Sequence, residues 1–157
     1  MSSTVTFDLT AVLPSLLPRA IAWAEQVSRD AFAGGITLTE QGLALARSVG
    51  VRNPEHVRVT AVEALPLPND PALKAAALQA GLLGPGMVGL TLGYCVFVCR
   101  GHETPRLLSH ELRQVHQYEL AGSIAAFLPV YLRQIVQFGY ANAPLEADAR
   151  AHERDRA

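Results

Sequence analysis

The chain has no excess of either charge. Thirteen Lys and Arg against 14 Asp and Glu leave a net charge of -1, so nothing suggests nucleic-acid recognition through a basic patch. It also lacks the low hydrophobicity of a disordered chain, since half its residues are apolar and 17% are charged. Cysteine is scarce. Cys95 and Cys99 lie in a stretch that reads as a strand, where residues four apart share a face at about 13 Å, too far to bridge. They read as two buried, reduced thiols in a cytoplasmic protein. The N-terminal MSSTVTFDLT has no basic run ahead of an apolar segment, so no secretory signal is expected.

A phosphate loop is missing too, because G-K-[ST] does not occur. Gly84 to Gly89 matches G-x-G-x-x-G literally, but a helical pattern precedes it and a strand follows. The dinucleotide fingerprint needs the reverse order, so this segment reads as a glycine-rich turn. No charged residue falls between Lys74 and Arg100, and those 25 residues are long enough to cross a bilayer. Five glycines, Pro85 and Gln79 divide the run into helix, turn and strand, so a membrane span is not favoured.

A chain of 157 residues suits one domain with a real core. Apolar residues from Pro14 to Phe32 recur at helical spacing, with Pro18 in the first turn and Gly34-Gly35 as the stop. Thr39 caps a second helix that ends at Gly50. His56 to Leu65 alternates, setting Val57, Val59 and Ala61 against Arg58, Thr60 and Glu63, and so predicts a half-buried strand. Asn69-Asp70-Pro71 opens a short helix stopped by Gly81. Gly89 to Arg100 has β-branched and aromatic residues on both faces, which predicts a strand covered on both sides or set along a cleft. Ser123 to Tyr140 is helical in pattern and interrupted at Pro129. Ala143-Pro144-Leu145-Glu146 starts a last helix, and the charged residues 151–157 read as a fraying tail.

The stretch LLSHELRQVHQYE, from Leu107 to Glu119, carries the chemistry. His110 and Glu111 form the first half of the zinc-hydrolase motif H-E-x-x-H. In that motif two ligands one helical turn apart hold the ion, and the adjacent carboxylate takes a proton from the bound water. The second histidine is replaced by Gln114, which lies on the same side of the helix as His110. His116, six residues on, points roughly 120° away and does not restore the pair.

HELRQVHQYE, then Gly122, FLPVYL and GYANAPLEADARAHE, resembles the short bacterial zincin-like metallopeptidases over Gly89 to Glu153. It is also similar to the zincin-like domain associated with contractile injection systems. The resemblance implies an α+β fold, mostly helical, with a small sheet packed on the central helix that carries His110-Glu111. His110 would be the first zinc ligand, Gln114 would stand in the second ligand's place, Glu146 would be the third, and Glu111 would be the general base. Tyr118 and Tyr140 would hydrogen-bond a substrate or orient a ligand. Gly89 to Val98 would line the cleft and pair with an extended peptide by strand addition.

An amide oxygen is a poor zinc ligand beside imidazole, so weak or absent zinc is the expectation. Three readings stay open: a zincin-like domain with a degenerate H-E-x-x-Q site kept for binding or structure, a metal-dependent hydrolase using Gln114 or another replacement ligand, and a domain in which His110-Glu111 is only a helix-start pair.

Overall fold

The computed structural model describes residues 6–156. The secretory reading of the first five residues, and Ala157 of the expected tail, lie outside the described residues.

Six helices surround a three-stranded sheet among the described residues, an α+β architecture. In chain order they are α1 (Leu9–Gly34), α2 (Glu40–Ser48), β1 (Arg58–Val62), α3 (Pro71–Gln79), β2 (Gly89–Leu92), β3 (Cys95–Cys99), α4 (Pro105–Ala121), α5 (Ile124–Phe138) and α6 (Pro144–Ala151). Strand β3 is central, parallel to β1 and antiparallel to β2. Period-two alternation sends its side chains into two cores. Val96 and Val98 meet Leu112 and Val115 of α4, Leu45 of α2 and Val49 at its C-terminal end. Cys95, Phe97 and Cys99 meet Ala24 of α1 and Leu128 and Ile135 of α5. Both cysteines are buried and free. No helix among the described residues is long and apolar enough to cross a membrane.

Several expectations are corrected. Gly89 to Arg100 is a hairpin and not one strand, because Gly93, with φ 65°, turns the chain between the paired residues Leu92 and Cys95. Helix α1 starts at Leu9, capped by Asp8, and runs through Pro14 and Pro18, so Pro18 is not in its first turn. Both prolines are exposed, as are Thr10 and Pro14, the residues whose carbonyls they leave without a helical partner, and water can satisfy those groups. Pro129 likewise does not interrupt α5, and its orphaned carbonyl belongs to exposed Ala125. Ala61 of β1 is exposed, not buried. Phe138, the last residue of α5, is 45% exposed.

Helix α4 lies across the sheet. Thr104 caps it by accepting from the Leu107 N–H at 3.2 Å, Pro105 opens it, and Gly122 closes it at φ 97°. Helix α6 docks on α4 through Arg113, whose guanidinium holds Asp148 with bonds of 2.8 and 3.2 Å, and through Gln117, which donates to Asp148 and to the Leu145 carbonyl. Leu112 is fully buried where α4 meets the sheet. Leu112→Ala is expected to lower stability by about 2–5 kcal/mol, measured by urea unfolding, through lost transfer energy and the cavity left behind.

Candidate functional site

His110 and Gln114 are one helical turn apart on α4, so both point the same way, toward the N-terminus of α6. There Glu146, in the first turn of α6, is 1% exposed. Its Oε2 lies 3.1 Å from His110 Nε2, and its Oε1 accepts from Gln114 Nε2 at 2.6 Å and from the Tyr131 hydroxyl at 2.7 Å. The other ring nitrogen of His110, Nδ1, lies 2.9 Å from Glu153 Oε2. Since α6 has no side-chain cap of its own, Gln134 of α5 accepts from the Leu145 N–H at 2.9 Å.

Glu111 turns toward the sheet. Its Oε1 accepts from the Thr91 hydroxyl at 3.0 Å, while Oε2 stands 4.0 Å from His110 Nε2, with no hydrogen-bond partner found among the described residues. Gly89 makes this approach feasible, because a Cβ there would come within 2.9 Å of Leu107 Cδ1 and 3.1 Å of Glu111 Oε2. On one side of Glu111 is an open cleft of about 290 Å³, lined by His110, Arg106 and Glu153 among others. On the other is an apolar chamber of about 130 Å³ that reaches Gln114, Tyr118 and Glu146.

Burial disfavours the charged imidazole of His110, but the bonds to Glu146 and Glu153 and the charge of Glu111 overcome it and raise its pKa from 6.5 to about 9. As an imidazolium, His110 donates from both nitrogens. Burial likewise opposes ionisation of Glu146, yet the bonds from His110, Tyr131 and Gln114 hold its carboxyl below the usual range. Glu111, with fewer compensating partners, is pushed by burial up to about 7. Burial and the nearby carboxylates raise the Tyr118, Tyr131 and Tyr140 hydroxyls, keeping them protonated.

Thus His110, Gln114 and Glu146 meet at one point, and Glu111 sits beside them. Tyr118 and Tyr140 line the chamber, Tyr118 packing on Phe127 at 3.9 Å between ring centroids. His116 faces away, with Nδ1 2.8 Å from the Gly50 carbonyl. Three participants were missed from sequence: Tyr131, Thr91 and Glu153. Tyr131 reads as one more apolar packing residue of α5. The tail expectation is corrected for the described residues, because Glu153 bonds His110 and Arg106, and the Arg154 N–H donates to Ser109 at 2.7 Å. Strand addition along Gly89 to Val98 is corrected as well. Central β3 is paired on both edges, so only β2 has an outer edge, where register turns the backbone groups of Gly89 and Thr91 away from β3.

The three converging side chains do not suit zinc. Glu146 is acceptor-only, so Gln114 must offer it the amide N–H, which is no ligand, and His110 has no lone pair free while both nitrogens donate. Among the described residues no three His, Cys, Asp or Glu side chains are placed to hold an ion. No protein-family model, curated protein or solved structure matches the chain.

Two outcomes follow from this geometry. Tyr131→Phe removes a donor from a buried carboxylate and is expected to cost about 1–3 kcal/mol, whereas Tyr118→Phe is expected to stay within about 1 kcal/mol, since no partner for its hydroxyl is found among the described residues; urea unfolding compares them. His110, with its folded pKa raised, contributes stability that is fully present below pH 6.5 and is lost as pH rises through about 9. The raised Glu111 adds a loss between pH 4.5 and about 7, and the lowered Glu146 reverses the trend in acid, below its usual 4.5. Unfolding free energy should therefore decline from pH 6.5 to 9, and the His110 ring protons should titrate near 9 by NMR.

Proposed function

We propose that this chain is a zincin-like domain whose metal site has been replaced by a hydrogen-bonded network, leaving a binding or structural module without ordinary peptidase activity. The observation that carries the reading is the saturation of Glu146. Both of its oxygens are bonded by protein groups, two of them standing where H-E-x-x-H chemistry would place zinc ligands. A protein cation, His110, takes the role of the ion in neutralising the buried carboxylate. Glu111 keeps the position of a general base but has no acidified water to act on.

The outer edge of β2 reaches the same cleft at Gly89, but Gly89 and Thr91 are both buried, so this edge offers no open row of backbone groups to an extended peptide.

One observation favours a second reading, a metal-dependent hydrolase. Glu153 on His110 Nδ1 is the carboxylate–histidine arrangement that orients metal-ligating imidazoles, and with His110 neutral its Nε2 would be free. Gln114 would then have to turn its amide oxygen to the ion.

Metal analysis of protein purified without added zinc decides between them. The natural chain is expected to carry only traces, and Gln114→His to take up zinc with affinity raised about 100-fold or more, since imidazole restores the second nitrogen donor. Stoichiometric zinc in the natural chain, or cleavage of an unfolded protein that Glu111→Gln abolishes, would overturn the reading. Gln114→His that stays metal-free would remove the zincin-like interpretation of the site.

A further inference from the structure

The chamber behind Glu111 is walled mostly by α1, α3, α5 and β2, with Gln114 and Glu146 bordering it at one end. Leu16, Trp23, Leu73, Leu92, Phe127 and Leu132 make its lining almost wholly apolar. Its volume of about 130 Å³ approaches that of an engineered apolar cavity of about 150 Å³ known to take up benzene. Interiors close-pack where nothing else is at stake. Here Ala20 and Ala76, both buried, stand at wall positions where larger residues would fill the space.

The chamber adjoins the polar cleft. Met87, Gly89, Glu111 and Tyr140 line both, so they form the neck between them. Glu111 is 4% exposed, and its Oε2 has no hydrogen-bond partner found among the described residues. Among the described residues Gln117 Oε1 is the one fully buried side-chain polar atom without a partner, so Glu111 Oε2 reaches accessible space and is an acceptor open to water or a ligand. Around the neck, Glu146 and Glu153 outnumber His110, and Arg106 is already engaged by Glu153 and Asp155. An anionic group is disfavoured there.

We propose that the chamber and neck form a binding site for a small amphiphile: a ring-sized apolar group seated among Trp23, Leu73 and Phe127, joined to a hydrogen-bond-donating head, an amine or a hydroxyl, that meets Glu111 Oε2. This goes beyond the reading of the degenerate metal site, because the chamber exists whatever occupies the space between His110 and Glu146.

Trp23 is the only tryptophan and lines the chamber, so its emission reports on occupancy. Benzylamine, benzyl alcohol and phenylacetate are titrated against the full chain in the presence of a chelator, which keeps the result separate from the metal analysis. The amine and the alcohol are expected to give saturable changes, with phenylacetate weaker by about tenfold or more because it brings charge without a donor. Ala76→Leu, which fills the chamber from α3, is expected to weaken both donors about tenfold without lowering the melting temperature. Should that variant fold poorly, Glu111→Gln supplies an independent arm, in which the preference for donors over phenylacetate falls to about threefold or less. Absence of any saturable change with amine and alcohol, equal binding of phenylacetate, or undiminished binding by a well-folded Ala76→Leu overturns the proposal.

Discussion

A carboxylate with 1% exposure sits where three helices meet, and the placement of those helices follows from keeping it solvated by protein. Removing a charged group from water is costly unless each of its lone pairs finds a donor and its charge a counter-charge. Glu146 meets that condition only when α4 supplies His110 and Gln114, α5 supplies Tyr131, and α6 holds the right rotation. The rotation is set one turn further along, where Asp148 is clamped by Arg113 and Gln117. Beyond the end of α6, Glu153 closes on the far side of the His110 ring. Polar contacts that look separate in the chain thus act on one constraint.

The network also divides the space around it. His110 and Glu153 face the open cleft, whereas Gln114 and Glu146 border the apolar chamber. Glu111 is common to both and is the least satisfied of the buried carboxylates, which is why burial raises it to about 7 while Glu146 stays ionised. The packing of α4 on the sheet rests on Leu112, Val115 and Val96, so this asymmetry does not depend on an ion at the site.

Local signals were read well where the physics is local. The caps at Thr39 and Asp70 act within a few residues, and each appears where the sequence pattern places it. The errors share a cause, which is that the outcome depended on surroundings. Pro14, Pro18 and Pro129 break helices only where the freed carbonyl is denied water, and here the residues concerned are exposed. The hairpin turn at Gly93-Tyr94 sits inside an uninterrupted apolar run, with a single glycine as its signal. Glu153 lies in a charged segment whose composition suits fraying, and a buried imidazole more than 40 residues away holds it in place.

By itself the sequence determined the helical spacing that puts His110 and Gln114 on one face, the start of the last helix that holds Glu146, and the presence of an amide and not a second imidazole at position 114. These are matters of residue identity and a period of 3.6, so no distant contact enters them. Only the tertiary structure decided that Gln114 donates to Glu146, that Tyr131 and Glu153 complete the network, and that Glu111 opens onto an apolar chamber. Those depend on how α1, α3, α5 and α6 pack around α4, and packing selects partners by shape and by the need to satisfy buried charge, which no stretch of chain encodes alone.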